Sequence, residues 1–454
     1  MTLLTCRPPV REELNSISSL KKWAHIPFLS FLLFTSGAAF AASEAELKER
    51  IQQLEAELNS VNAELESIQT ENKNLAETNA KLTDADAPIK IGNWTVGGAI
   101  RALYTVGDYT ANDSGAPGRA WEDEGNVGLD TLRANLDYNN GPYSAKIEYR
   151  WYDGYNFLHT GWVGYSPDDH SQIQLGVNRV PFGPGAYGIS QAWLFDQHYY
   201  LGLSDDMDLG IKYSTQHGKW AWDVAYYSSD EGHYAGASRD SARYSYDVVD
   251  ESGNGYEERN QINVRGIYSF NSSDDSSTDL GFSLQAGELK SRGVQSDGNH
   301  YAASVHMVNQ WGNLKLATQL TRYEFDVDVD QALGTDDLVQ FGAYDFPSTA
   351  AAKGWIPAVS LSYYQPTDNI SWLDYVLPYL EYSSIVKDQS GFNDSEMIVA
   401  GVALARGGWY IYNEVGFSNG NEFVGGDAAF GDRLGANTDD EWQTRFLINF
   451  GYYF

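Results

Sequence analysis

The sequence predicts an all-β fold: a 16-stranded antiparallel transmembrane β-barrel over residues 89–454, preceded by an α-helical coiled coil. Three observations predict it. From Ile89 onward apolar and polar residues alternate with a period of two. The connections between these runs alternate between tight turns and long loops. Ahead of them, apolar residues recur in a 4,3 spacing from Leu47 to Leu82.

Composition sets the outer limits. The 454 residues carry 62 acids against 30 bases, a formal charge of -32, with 31 Tyr, 13 Trp and 44 Gly. That acidity argues against nucleic acid as a partner, because phosphate binding needs a surplus of Lys and Arg. One cysteine, Cys6, leaves no disulfide framework. Mean hydropathy is -0.42, and beyond the leader no stretch approaches the ~20 apolar residues of a spanning helix. A barrel is compatible with both facts, since alternating strands hide their lipid face from an average.

Residues 1–42 read as a secretory signal peptide. Lys21 and Lys22 precede the apolar run Ile26 to Phe34, and Ala39-Phe40-Ala41 follows. Residues 1–19 are long for such a leader and contain Glu12 and Glu13, so translation is expected to start near Leu20. Cys6 is then removed with the leader, and no cysteine remains for lipid attachment.

Residues 43–83 read as a periplasmic coiled coil. Leu47, Ile51, Leu54, Leu58, Val61, Leu65, Ile68, Leu75 and Leu82, with Asn72 and Asn79, keep an unbroken heptad stripe. A sustained heptad stripe must face a partner, which winds helices into a left-handed supercoil. At ~1.5 Å per residue the rod is about 58 Å long. Asn at two seam positions would fix register. Residues 84–88 form a short linker.

The barrel strands are expected to start near Ile91, Val127, Tyr143, Leu158, Gln172, Met207, Lys219, Asn260, Asp279, His300, Asn313, Gly354, Asp374, Ser395, Trp409 and Glu441. In one of them Leu132, Ala134, Leu136 and Tyr138 alternate with Thr131, Arg133, Asn135 and Asp137; in the next, Ala145, Ile147, Tyr149 and Trp151 alternate with Ser144, Lys146, Glu148 and Arg150. Tight connections such as Asn139-Asn140-Gly141-Pro142, His217-Gly218 and Gly407-Gly408 carry the Asn and Gly that hairpins require. Long ones run from Asp108 to Asn126, Pro181 to Asp206, Asp230 to Arg259, Asp326 to Lys353 and Ser418 to Asp440. Short turns at one rim and long loops at the other are the habit of bacterial barrels, whereas a soluble sandwich has no reason to sort its loops.

Face assignment puts Arg101, Arg133, Lys146, Arg150, Lys212, Arg265, Lys315 and Arg445 inside as pore-lining bases, with Asp137, Glu148, Asp208 and Asp223 as inward acids. Residues 1–88 hold 8 bases and 13 acids, which leaves 22 bases and 49 acids, or -27, in the barrel domain. The assigned wall is therefore positive by four, and the acids gather in loops such as Glu122-Asp123-Glu124, Asp230-Glu231, Glu257-Glu258, Asp336-Asp337 and Asp439-Asp440-Glu441. Bases on the wall opposite an acidic infolded loop would set up a transverse field that favours small polar solutes. The alternative is that each inward charge pairs with a neighbour and fills space.

The segment Pro181 to Asp206 is the candidate constriction loop, with Tyr187, Trp193, Phe195, Tyr199 and Tyr200 to anchor it and Asp196 as the constriction anion. Its aromatics could also stack on sugar rings. No Ser sits in a Gly-x-Ser-x-Gly elbow, no His pair has helical metal spacing, and His306 alone among the histidines has inward parity. No enzyme, cofactor or metal is expected. Asp205-Asp206-Met207-Asp208 and Asp326-x-Asp328-x-Asp330 have the oxygens for Ca²⁺, but neither continues as an EF-hand loop, so each reads as a solvated acidic loop.

The last residues, Phe446, Ile448, Phe450, Tyr452 and Phe454, alternate and end on Phe. This resembles the closing-strand signal of bacterial outer-membrane proteins, which their assembly machinery reads at Phe454. The rhythm of residues 89–454 resembles the trimeric diffusion porins. The stretch VPFGPGAYGISQAWLFDQHYYLGLSDDMDLGIKY, Val180 to Tyr213, is similar to the third-loop region of the phosphate-selective type, and the heptad rod resembles trimeric channels with a periplasmic coiled coil. The resemblance implies a homotrimer in the lipid and lipopolysaccharide of a Gram-negative outer membrane, passing small hydrophilic solutes by diffusion. The chain departs from the phosphate-selective pattern in lacking a dense Lys cluster in its external loops, which are acidic here.

Overall fold

A computed structural model of the chain describes residues 89–108, 126–273, 276–329, 333–367, 369–425 and 431–454, and residue 52. The chain divides into two units, Met1–Asp84 and Ala85–Phe454. The expected leader, coiled coil and linker, and the acids Glu122, Asp123, Glu124 and Asp330, lie outside the described residues.

The second unit is a closed antiparallel barrel of sixteen long strands. In chain order they are β1 Trp94–Gly107, β2 Asn126–Asn140, β3 Tyr143–Trp151, β4 Asn156–Asp168, β5 Ser171–Arg179, β6 Met207–His217, β7 Trp220–Asp230, β8 Tyr256–Ser273, β9 Ser276–Ser291, β10 Gly298–Trp311, β11 Leu314–Asp326, β12 Lys353–Tyr363, β13 Tyr375–Lys387, β14 Ser395–Arg406, β15 Trp409–Asn419 and β16 Gln443–Tyr453. Each expected start falls within about four residues of the observed one, a margin set by ragged strand ends. Each strand pairs with the next, and β16 pairs back onto β1, Tyr453 opposite Ala99. Closure leaves no free edge of N–H and C=O groups, a requirement for backbone placed in lipid. The Gly98 N–H donates to the Phe454 carbonyl at 2.9 Å across this seam. A Cβ at Gly98 would come within 2.5 Å of the Arg133 carbonyl and 2.8 Å of the Phe454 ring, so the seam has room only for glycine.

The period-two pattern sorts into two faces. Ile100, Leu132, Leu136, Val163, Leu175, Ile211, Val224, Leu284, Val305 and Leu380 are exposed outward. Aromatic pairs on neighbouring strands follow the rim of short turns: Trp94 with Tyr138 at 4.9 Å, Tyr143 with Tyr165 at 5.6 Å, Trp220 with Tyr268 at 4.8 Å and Trp409 with Tyr452 at 4.9 Å. Such rings suit a membrane interface, where one end is apolar and the other wet. The opposite rim carries the long connections.

Two of the β-bulges bring polar side chains to the interior. In β2 an extra residue between the partners of Arg101 and Ala102 leaves Asp130 and Thr131 both buried inside. In β4 the extra residue puts His159 and Thr160 both inside. A bulge re-aims one side chain and flips the parity of the rest, so an acid and a histidine reach the interior where strict alternation would face them outward.

The interior is filled by returning loops. The segment 180–206 leaves β5 and crosses inside the barrel, and Ile189 packs on Ala317 of β11 and Ala358 of β12, where small residues make room for it. Val180 packs on Ala225 and Tyr227 of β7. On the long-loop side Leu338–Ala343 pairs with Phe346–Ala351 and with Asp247–Val248, a small three-stranded sheet that joins two loops.

Candidate functional site

The crossing segment is tied to the far wall by its own backbone. Glu381 of β13 accepts from the Gln191 N–H at 2.5 Å and the Ser190 hydroxyl at 2.6 Å. Glu414 of β15 accepts from the N–H groups of Trp193 at 2.5 Å and Leu194 at 3.0 Å. The Gln197 N–H donates to Ser383 Oγ at 3.0 Å, and the Gly183 N–H to Ser283 Oγ at 3.0 Å. Irregular backbone away from water needs such partners, and carboxylates supply the strongest acceptors. Glu381 and Glu414 are 3% and 0% exposed. Both have inward parity in their strands, so the sequence held the signal, yet neither enters the expected wall.

A group of arginines also projects inward. Arg101 pairs with Asp130 at 2.8 Å, the acid that the β2 bulge delivers. Arg150 meets Glu148 at 2.5 Å, and Arg133 meets the same carboxylate at 3.4 Å. Arg179, at the end of β5, pairs with Asp205 at 2.6 Å and lies over the Tyr187 ring at 5.3 Å. Arg150 lies over the Tyr244 ring at 4.4 Å. Arg445 donates to Thr105 Oγ1 and to the Phe423 carbonyl, both at 2.6 Å.

The other assigned bases lie further along the inward face. Lys146 pairs with Asp137 at 3.4 Å, Arg265 with Asp223 at 2.7 Å, and Lys212 donates to the Arg179 carbonyl at 2.7 Å. Lys315 is half-buried on β11. Asp130, Glu381 and Glu414 also project inward and offset most of the positive excess that face assignment gave the wall. The inward arginines of this group lie on β16, β1, β2, β3 and β5, and the two anchoring carboxylates on β13 and β15.

The loop residues sit differently from expectation. Asp196 is 1% exposed and bonds His198 Nδ1 at 2.7 Å, while His198 Nε2 meets Thr321 Oγ1 at 2.8 Å. Its side-chain hydrogen bonds run to His198 of the same segment. Tyr199 is buried, stacks on Phe195 at 4.3 Å and touches the Tyr344 hydroxyl. Trp193 remains half-buried. His306 is not alone: His159 and His300 are also buried inward, the first through its bulge.

The acidic loops are corrected as well. Asp205, Asp206 and Asp208 are 2%, 4% and 1% exposed, so this run is not solvated. Asp230, Glu231 and Glu258 are also buried. Arg243, buried in the loop 231–255, binds Asp230 at 2.8 Å, Asp240 at 2.7 Å and Asp247 at 2.9 Å. Glu422, after β15, accepts from the Ser348 and Tyr246 hydroxyls, and burial pushes its carboxyl up to about 7. These acids tie loops to one another, which composition alone could not reveal.

No protein-family model matches the chain, and no curated protein matches it in sequence. Solved structures do match in shape. OmpF of Salmonella typhi, in complex with daunomycin, aligns at 11% identity and a TM-score of 0.52, over 81% of this chain and 100% of that one. The outer membrane channel DcaP of Acinetobacter baumannii aligns at 11% identity and a TM-score of 0.51, with the same coverage of each. At these identities the likeness is one of fold: a closed 16-stranded barrel of the kind found in bacterial outer-membrane porins.

Proposed function

We propose that this chain is an outer-membrane porin of a Gram-negative bacterium, through which small hydrophilic solutes diffuse down their gradients. The observation that carries the reading is the combination of an apolar outer belt, a charged interior and a crossing segment held inside the barrel at Glu381 and Glu414. Ions, sugars and small organic anions are the solute class, since an interior lined by charged side chains rejects apolar molecules. Arg101, Arg133, Lys146, Glu148, Arg150, Lys212, Arg265, Lys315 and Arg445 line the path. No bond is made or broken in it.

The assembled form is a homotrimer joined by the heptad rod of residues 43–83 in the periplasm, after removal of a signal peptide. The barrel sits in lipid and lipopolysaccharide, and Phe454 hands the chain to the assembly machinery.

A second reading, a barrel plugged by its loops and tethering the envelope, draws on the burial of the interior. Arg133, Glu148 and Arg150 are 4%, 1% and 2% exposed, and Tyr199, Tyr244 and Tyr344 meet above them. Purified protein in a planar bilayer separates the two. Discrete conductance steps, closing in threes, support the trimeric channel; electrical silence supports the plug. Liposome swelling with sugars, dicarboxylates and phosphate then identifies the solute.

A further inference from the structure

The run Asp205-Asp206-Met207-Asp208 ends the crossing segment and opens β6, and it meets the loop 231–255 there. Asp206, Asp208 and Asp247 each bring a carboxylate oxygen within 4.8 Å of the other two. They are 4%, 1% and 1% exposed. Glu231, 5% exposed, reaches hydrogen-bonding range of Asp247. Two carboxylates cannot bond one another without a proton or a cation between them. The base at hand is Arg243, and it is already shared among Asp230, Asp240 and Asp247. Glu258, from β8, adds a further buried acid nearby.

The neighbouring donors do not satisfy the group. Ser245 bonds Asp206, Gln261 Nε2 donates to Asp208 Oδ2 at 3.0 Å, and the N–H groups of Tyr244 and Ser245 donate to Glu231 Oε1 at 3.2 and 2.8 Å. After these, Asp206 Oδ1, Asp208 Oδ1 and Glu231 Oε2 still have no donor. The neutral amide oxygen of Gln261, on a side chain 2% exposed and bonded to Asp208, has none either. The orphans at this place are all acceptors. Buried acceptors of one sign, drawn from three stretches of backbone, are satisfied together by one hard cation.

We propose that Asp206, Asp208 and Asp247, with Glu231, form a buried calcium site that fastens the loop 231–255 to the end of the crossing segment. The donor set is all oxygen and mostly carboxylate, which suits calcium; magnesium keeps its waters, and zinc or copper would call for nitrogen or sulfur. The neighbouring contacts draw the same two segments together: Tyr244 donates to Asp205 Oδ2 at 2.5 Å, and the Met207 N–H to Ser245 Oγ at 2.8 Å.

The test uses the full chain, folded in detergent, stripped with EDTA and titrated with calcium in a calorimeter near neutral pH. Terbium luminescence excited through tyrosine serves as the second probe. The expected result is one strong site per chain and a rise in Tm with calcium. In the variant carrying Asp206→Asn and Asp247→Asn, binding falls by at least about tenfold because two charged ligands are gone. That variant keeps the circular dichroism of the barrel, and its metal-free Tm equals or exceeds that of the wild type, since like charges are removed. Wild-type protein that takes up neither probe overturns the site, and so does a double variant that binds as tightly as wild type. Neither readout depends on conductance, so this test and that of the channel can fail separately.

Discussion

Arg133 of β2 and Arg150 of β3 are direct cross-strand partners, and one carboxylate, Glu148, serves both. Two guanidinium groups side by side repel, and Glu148 is the group that makes their neighbourhood tolerable. The interior thus carries a charged cluster whose members depend on one another.

Reversing the pair, Arg133→Glu with Arg150→Glu, should turn ion selectivity toward cations if these residues border the path. Reversal potentials under a salt gradient measure it. Unchanged potentials would remove both residues from the passage.

Removing the shared acid should cost stability. Glu148→Gln leaves two buried cations with a neutral partner, and breaking a buried pair in this way costs about 3–5 kcal/mol. Thermal unfolding in detergent checks it. A loss below the error of the measurement would show that water reaches the cluster.

The loop anchors give a third expectation. Glu414→Ala with Glu381→Ala strands six backbone or hydroxyl donors, those of Ser190, Gln191, Trp193, Leu194, Ser360 and Tyr379, at about 1–3 kcal/mol for each buried donor left without a partner. The freed segment should widen the passage and raise single-channel conductance. Equal conductance in wild type and variant would mean that the segment does not set the bore.

Filling the pocket under Ile189 should act on the same segment by crowding. Ala358→Leu forces extra volume into a packed contact, a cost of about 1–3 kcal/mol. Protease nicking within residues 181–206 should then speed up, while the strand signal in circular dichroism holds.

Glu422 makes a pH prediction outside the strands. Its carboxyl is raised in the fold from 4.5 to about 7 by burial. The folded protein therefore holds a proton that the unfolded chain releases. The stabilisation is complete below pH 4.5 and is lost as pH rises through about 7. Tm should fall across that window, by the equivalent of about 3 kcal/mol at most. Glu422→Gln should flatten this part of the profile, and a profile unchanged by the substitution would reject the assignment.

The barrel was legible because its signal is periodic. Ile147, Tyr149 and Trp151 against Lys146, Glu148 and Arg150 fix a face without any tertiary knowledge, and the Gly and Asn turns fix direction. Asp130 and His159 were missed because a bulge changes parity, although the shift from Val127 and Leu129 to Leu132 and Ala134 records one of them. Asp205, Asp206 and Asp208, expected in a solvated loop, are buried for another reason. Whether a loop carboxylate meets water or a buried arginine depends on packing between distant segments, such as Asp230 on Arg243, and no local repeat encodes that.

The pairing of Tyr453 with Ala99 has a consequence for how the molecule comes into being. Until its final residues are available, the sheet is a curled ribbon with two bare margins, each a template for stray chains. Completion rests on contacts between the first and last strands of the barrel, far apart along the chain and the slowest kind to find. An escort that recognises the tail and shields the open margins would shorten that vulnerable interval, and a protein clipped by even a few C-terminal residues would stay trapped within it.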